Sequence, residues 1–235
     1  MQAVDINCDL GEGMSNDAQI MPYISSCNIA CGGHYGDKSS ISETIKLALK
    51  YKVNIGAHPS FPDKENFGRK IMDISESDLY ESLCQQILIF SQICKEEGAR
   101  LHHVKLHGAL YNLAAKDPIT AKIVVKSLNA TCSGARIYTP YQSELARLAK
   151  SNFKVIYEAF ADRRYHSNLQ LVSRDRDDAV ITDLDDAWKH LYNMLENGKV
   201  KTVEGESISI KADTFCVHGD QPEAVNLVQY IAKKL

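Results

Sequence analysis

Between Arg100 and Tyr111 the chain reads RLHHVKLHGALY, and the alternation inside it is that of a β-strand with an unusual inner face. Successive side chains of a strand turn to opposite sides. His103, Lys105 and His107 therefore share one side, and His102, Val104 and Leu106 the other. The run stops at Gly108, which leaves the imidazole of His107 at the carboxyl end of the strand. The same period carries Asp5, Asn7 and Asp9 on one strand face, and Asn54, Gly56 and His58 on another. Barrel interiors are normally filled by Val, Ile and Leu. Polar faces on several strands predict a polar, wet pocket reaching into a barrel.

Working outward, short β-rich runs alternate with amphipathic helical runs along the chain. The strand candidates are AVDINCDL, SSCNIACGG, VNIGAHP, RLHHVKLHG, ARIYTP, KVIYEAF and DTFCVHG. Helix starts are expected at Ser40 (SISE) and Ser75 (SESD), which fit the capping box, at Asp117-Pro118, and at Asp220 or Gln221-Pro222. Gly98, Gly134 and Gly198 follow helical runs as C-terminal caps do. Alternating strands and helices argue for parallel βαβ units. About seven of them suggest one α/β domain over 1–235, a β/α barrel of about seven parallel strands. Residues 162–180 read as a long loop, and KVKTVEGESISIKA as a small hairpin.

The polar residues collect where those strands end. Asp9 and Glu12 follow the first strand, His34 and Asp37 the second. His58 ends the third and His107 the fourth. Glu158, Asp162 and Arg163 end the sixth, and His218 and Asp220 the seventh. Four of the eight histidines thus lie at carboxyl ends of strands, the rim that holds the active site of β/α barrels. Each residue also has a structural reading. Asp5 can bridge strands, Asp220 can cap the last helix, and Arg69 can be a solvated loop cation. Arg163 and Arg174 flank the long loop and suit a carboxylate, which guanidinium grips with two parallel bonds.

Composition removes several classes of function. A net charge of −3 offers no basic field for nucleic acid and no lipid-binding patch. No stretch approaches the length of a membrane span, and MQAVDINCDL lacks the pattern of a signal peptide. Seven scattered cysteines without a CxxC are the usage of a reducing compartment, so a cytoplasmic protein is expected. Cys27, Cys31 and His34 stand at CxxxCxxH spacing, unlike zinc or iron–sulfur motifs. The two cysteines read as small buried hydrophobes. A three-histidine or Asp–His–His site for a divalent metal is sterically open at the rim, though spacing does not demand it. Neither GxxxxGK[ST] nor GxGxxG occurs, so a nucleotide site is non-standard or lies on another chain.

The stretches DINCDLGEG, NIACGGHYGD, IGAHPSFPD, FGRK, VKLHGALYN, EAFADRRY, LVSR and CVHGD follow one another along nearly the whole chain. In this the sequence resembles the LamB/YcsF family, the A-type component of bacterial 5-oxoprolinase. The resemblance implies a barrel of the glycoside hydrolase/deacetylase superfamily. It implies ATP-dependent opening of 5-oxoproline to glutamate, with ATP as co-substrate and with B and C subunits of 5-oxoprolinase as partners. Asp9, Glu12, His34, His58, Lys105, His107 and Glu158 are then the expected catalytic set. Asp9 or Glu12 is the expected base, with Lys105 and the histidines at the developing oxyanion. Asn7, Asn28, Arg69 and Asp162 are expected to bind substrate, as are Arg163, Arg174, His218 and Asp220. Tyr35 and Leu106 stand where alanine and proline are usual in the family, and the segment before LVSR lacks the usual glycine. Two other readings stay open: a metal-dependent hydrolase of an acylated amine or sugar, and a non-catalytic protein that holds a small carboxylate for a partner.

Overall fold

In the computed structural model, which describes residues 4–221 and 223–235, all seven strand candidates form strands. They are β1 (Asp5–Leu10), β2 (Ser26–Ala30), β3 (Asn54–His58), β4 (His103–Lys105), β5 (Arg136–Pro140), β6 (Lys154–Phe160) and, after the hairpin β7 (Lys199–Lys201) and β8 (Ser207–Ser209), β9 (Thr214–Val217). They pair in parallel in the order β1-β2-β3-β4-β5-β6-β9, and β9 returns to β1 to close the barrel.

The helices α1 (Asp17–Ile20), α2 (Lys38–Tyr51), α3 (Glu76–Glu96), α4 (Gly108–Lys116), α5 (Pro118–Thr131), α6 (Glu144–Ala149), α7 (Leu184–Asn197) and α8 (Ala224–Lys234) cover the strands. α3 shows how. Leu79, Leu83, Ile87, Phe90 and Cys94 recur at three- and four-residue spacing and are all buried, the stripe of an amphipathic helix against a core. The outward strand residues Ile6, Cys8, Leu10, Ile29, Val104 and Phe215 meet these stripes and are buried as well. Truncating one such leucine to alanine typically costs about 2–5 kcal/mol. Among the described residues no helix is long and apolar enough to cross a membrane.

Ser75 and Asp117 cap α3 and α5 as the sequence predicts, each accepting from the backbone N–H three residues on. α2 starts earlier than Ser40. Asp37 is its N-cap and Ser40 sits three residues in, closing the box from the other side. Both readings fit the letters; the extended backbone of Asp37 decides between them. Asp220 caps nothing, because arginines occupy its carboxylate, and α8 begins after Glu223 without a side-chain cap. Pro222 lies outside the described residues.

The expected polar pocket reaches only the carboxyl-terminal half of the barrel. The amino-terminal half is a packed polar plug. His103 donates from Nε2 to Asn28 Oδ1 at 2.7 Å and stacks on Tyr138 with centroids 3.9 Å apart. Ser26 donates to Asp5 at 2.8 Å, and Asn28 donates to Asn7 Oδ1 at 2.8 Å. Buried polar groups that find partners across a barrel leave no need for water. Gly56 makes the plug possible: a Cβ there would stand 2.1 Å from His103 Nε2.

Candidate active site

Above the plug, at the carboxyl ends of the strands, Lys105 is fully buried with its ammonium between two strands' carboxylates. Nζ lies 2.9 Å from Asp9 Oδ1 on β1 and 2.8 Å from Glu158 Oε1 on β6. Cys216 Sγ is 3.0 Å away and Asn7 Oδ1 3.3 Å. Burial opposes its charge, but Asp9 and Glu158 hold its pKa well above the ordinary lysine value. Asp5, the third inward carboxylate, serves Ser26 and Tyr138 instead.

A second cluster adjoins the first. His58 Nδ1 faces the carbonyl of Lys105 at 2.8 Å, and His107 Nε2 faces the carbonyl of Phe67 at 2.9 Å. A carbonyl only accepts, so both nitrogens carry hydrogen. His58 Nε2 and His107 Nδ1 then face each other at 3.0 Å. Two lone pairs repel; a proton on one of them resolves the contact. It sits on His58. Burial lowers the pKa of both rings, but Asp9, with Oδ2 3.4 Å from His58 Nε2, raises His58 overall, while His107 stays lowered. Glu12 Oε1 receives His34 Nε2 at 2.9 Å and lies 3.2 Å from His107 Nδ1. His34 stacks flat on His107 at 3.7 Å, and burial pushes its pKa down to about 4. Burial works against the charge of Asp9 and Glu12 too. The cations and N–H donors around them prevail and hold both carboxyls well below the ordinary range.

Gly108 answers why the strand stops where it does. Its φ is +54°, and a Cβ would stand 2.6 Å from the Gly68 carbonyl. Only glycine lets the chain turn into α4 directly behind His107. That turn brings Tyr111, one helical turn along, to donate to Glu158 Oε2 at 2.7 Å.

A cavity of about 290 Å³ opens over Lys105, Asp9, Glu12 and His107. Its far wall is Arg163, Arg174, His218 and Asp220, with Arg69 at the mouth. Arg69 and Arg174 both bond Asp220 Oδ2, the latter at 2.8 Å. His218 Nδ1 lies 3.0 Å from Asp162 Oδ1, and the buried Asp162 also accepts the His218 backbone N–H and the Gln221 amide, each at 2.9 Å. Arg163 is 6% exposed and donates to the Val172 carbonyl at 2.6 Å. Its buried Nε has no partner, and among the described residues no carboxylate pairs with it.

The residues expected at the site therefore sort by depth. Asp9, Glu12, Lys105 and His107 form the floor, and Arg69, Arg163, Arg174, His218 and Asp220 the walls. His34 and His58 stand behind Glu12 and Asp9, bonded to the same network. Glu158 opens onto a neighbouring cavity. Asn7, Asn28 and Asp162, expected to bind substrate, are fully buried and outside the cavity lining; they hold Lys105, Asp9 and His218. Leu106 lines the cavity, whereas Tyr35 packs over Gly13 beside an outer hollow. Tyr111 and Gln221 escape sequence reasoning: their signal, a position one turn after a strand-end histidine or acid, is common in any βα unit. The CxxxCxxH spacing holds no site. Cys27 and Cys31 are buried, and Cys31 Sγ accepts the His58 backbone N–H at 3.1 Å.

Asp9, His58 and His107 present ligand atoms within 4.8 Å of one another. The donor set fits a divalent cation such as zinc. Both imidazoles already give their outer N–H to backbone carbonyls, the orientation metal-bound histidines adopt.

The sequence profile of the LamB/YcsF family matches residues 4–235, and the chain belongs to that family. It is 41% identical over 229 residues to the A component of 5-oxoprolinase from Bordetella pertussis, covering 95% of this chain and 91% of the relative. It is 40% identical over 238 residues to the protein of the same name from Bacillus cereus, covering 98% and 94%. The crystal structure of the lactam utilization protein from Thermus thermophilus superposes with a TM-score of 0.92 at 35% identity, over 99% of this chain and 95% of that one.

Proposed function

We propose that this LamB/YcsF chain opens the lactam ring of 5-oxoproline to glutamate in the cavity above Lys105. It does so as the A component of an ATP-coupled enzyme working with B and C subunits in the cytoplasm. The relatives' names and the lactam utilization protein support the reading. The observation that carries it is Arg163. A buried guanidinium without a carboxylate partner is costly, and here it faces a cavity sized for a small molecule. It is the anchor for the substrate carboxylate.

Ring opening is uphill because the amine and carboxylate of the product stay on one chain, at high effective concentration. Phosphorylation of the ring carbonyl oxygen by ATP relieves this. Water must then attack the carbonyl carbon, and the ring nitrogen must gain a proton before its bond to that carbon breaks; the acyl phosphate so formed takes up a second water and releases phosphate, leaving glutamate. The expected bases, Asp9 and Glu12, are poor ones: both carboxyls sit far below neutral and are committed to cations and N–H donors. His218 fits better. Asp162 holds its Nδ1–H, which leaves Nε2 free on a ring that lines the cavity. It takes the proton from water and returns it to nitrogen. Lys105, its ammonium shared with Asp9 and Glu158, presents a cation from the cavity floor as negative charge develops around the attacked carbon.

The chemistry of the Asp9, His58 and His107 donors favours a second reading, a metal-dependent hydrolase. Those three residues would hold the cation, which would act as a Lewis acid toward the carbonyl. A stoichiometric ion in the purified chain, lost with His58→Ala, would favour it.

The test is reconstitution. With B and C subunits, the chain is expected to release glutamate and phosphate only when 5-oxoproline and ATP are both present. Product release without this chain, or none with all three, overturns the proposal.

A further inference from the structure

Beside the first cavity lies a larger one of about 470 Å³. The two are separated by one layer of side chains: Tyr111, Asn112, Phe160, Leu171 and Ser173 line both. Their walls differ in kind. The first is built of carboxylates, arginines and imidazoles. The second is built of Tyr141, Tyr165, Phe160 and Leu169, with the amides of Gln142, Asn168 and Gln170 between them. Among the described residues its one carboxylate, Glu158, is already bonded to Tyr111 and Lys105.

Backbone strain points to the same place. Four described non-glycine residues have φ in the left-handed region: Lys52, Phe67, Gln142 and Leu169. Lys52 ends a helix, where that conformation is common. Gln142 (φ +61°) and Leu169 (φ +63°) end no helix, and both line the second cavity. Such residues cost of order 1–3 kcal/mol each, and they concentrate at ligand clamps.

We propose that this second cavity seats the nucleoside end of ATP, with the polyphosphate crossing the shared wall near Ser173 toward Arg174. The inference rests on the ATP coupling proposed above. Aromatic faces stack a base, and amides carry both the donor and the acceptor that a purine edge needs. Apart from Lys116, His166 and the paired Glu158, the lining is largely aromatic, aliphatic or amide, walls that suit a base better than a small charged substrate. The first cavity is too small for a lactam and a nucleotide together, so two reactants that must meet need adjoining spaces. The missing phosphate-loop motif is then no obstacle, because Lys116 in this lining and Arg174 across the shared wall are cations within the two cavities.

The experiment is direct titration of the full-length chain with a non-hydrolysable ATP analogue and, separately, with 5-oxoproline. Wild type is compared with Leu169→Trp, which fills the cavity, and Tyr141→Ala, which removes an aromatic wall; circular dichroism checks folding. Nucleotide affinity is expected to fall about tenfold or more in each folded variant, as loss of base stacking does, with 5-oxoproline affinity within about twofold of wild type. In the reconstituted enzyme, KM for ATP should rise and KM for 5-oxoproline should not. The assignment is overturned if wild type binds no nucleotide, alone or with its partner subunits, or if folded variants keep full nucleotide affinity. Equal loss of both ligands also overturns it. Nucleotide binding that responds to both variants, in a chain that never yields glutamate, would leave this cavity assigned and sink the lactam reading instead.

Discussion

The two ends of the barrel are made of the same residue types and do different things. At the amino ends of the strands, Asp5, Ser26, Asn28, His103 and Tyr138 bond one another. At the carboxyl ends, Asp9, Glu12, His107, Arg163 and His218 also bond neighbours, but Arg163 and His218 leave valences over. His218 presents a nitrogen and Arg163 a charge to an open cavity. Buried polarity alone therefore does not mark a site. What marks it is polarity left unmatched beside space, since an unmatched buried group costs free energy that only a ligand returns.

The largest effect should come from Lys105→Met, which leaves Asp9 and Glu158 facing each other without a counter-charge. Loss of one partner of a buried pair typically costs about 3–5 kcal/mol. Glutamate release by whatever folds should drop roughly 100-fold or more. A variant measured by urea unfolding to be folded, yet active near wild type, would make Lys105 a strap between strands and move it to the structural half of the comparison.

Next comes the histidine–aspartate pair. His218→Asn should lower the turnover number by about 100-fold or more, the usual worth of a proton-transfer group. Asp162→Asn, which only loosens the ring, should lower it less while KM for 5-oxoproline holds. Equal losses in both variants, carried by KM, would turn the pair into a substrate-binding wall.

The amino-terminal plug should answer differently. Gly56→Ala drives a methyl into His103, and overpacking of this kind costs about 1–3 kcal/mol. Adding His103→Ala should restore part of that stability, and KM for 5-oxoproline should stay put throughout. A large rise in KM would mean that the plug shapes the cavity.

The smallest effect is a pH dependence away from both ends. His190, on α7 against Tyr165, has its pKa pushed from 6.5 down to about 4 by burial. A folded value below the unfolded one means that the stabilisation is full above about pH 6.5 and is lost as pH falls toward 4. The urea midpoint should therefore drop between pH 7 and pH 5 by less in His190→Asn than in wild type. An identical drop would show that the ring is solvated in the native protein.

How much of this could be read in the letters follows from the range of the forces. Strand alternation and helix stripes are local, so the seven barrel strands and the polar inner faces were legible from residues such as His103, Lys105 and His107. The start of α2 was misplaced because SISE and the overlapping DKSS both satisfy a capping rule, and only the backbone at Asp37 separates them. Depth in the site was not legible. Asn28 and Asp9 lie on adjacent strands in direct register, yet one is plug and the other floor. Nor could spacing reveal that Asp220 satisfies two arginines and leaves Arg163 unmatched, because those four residues meet only when the loop at 162–180 folds back over the rim.

The measurement that bears most directly on that unmatched charge is a pair of titrations. 5-Oxoproline and 2-pyrrolidinone, the same ring without its carboxylate, are each titrated into wild type and into Arg163→Met. Wild type is expected to prefer 5-oxoproline by about 100-fold, within the range of a charge-assisted bond to a buried arginine, and the preference should collapse in Arg163→Met. A folded Arg163→Met chain that still prefers 5-oxoproline as strongly as wild type does would contradict the account.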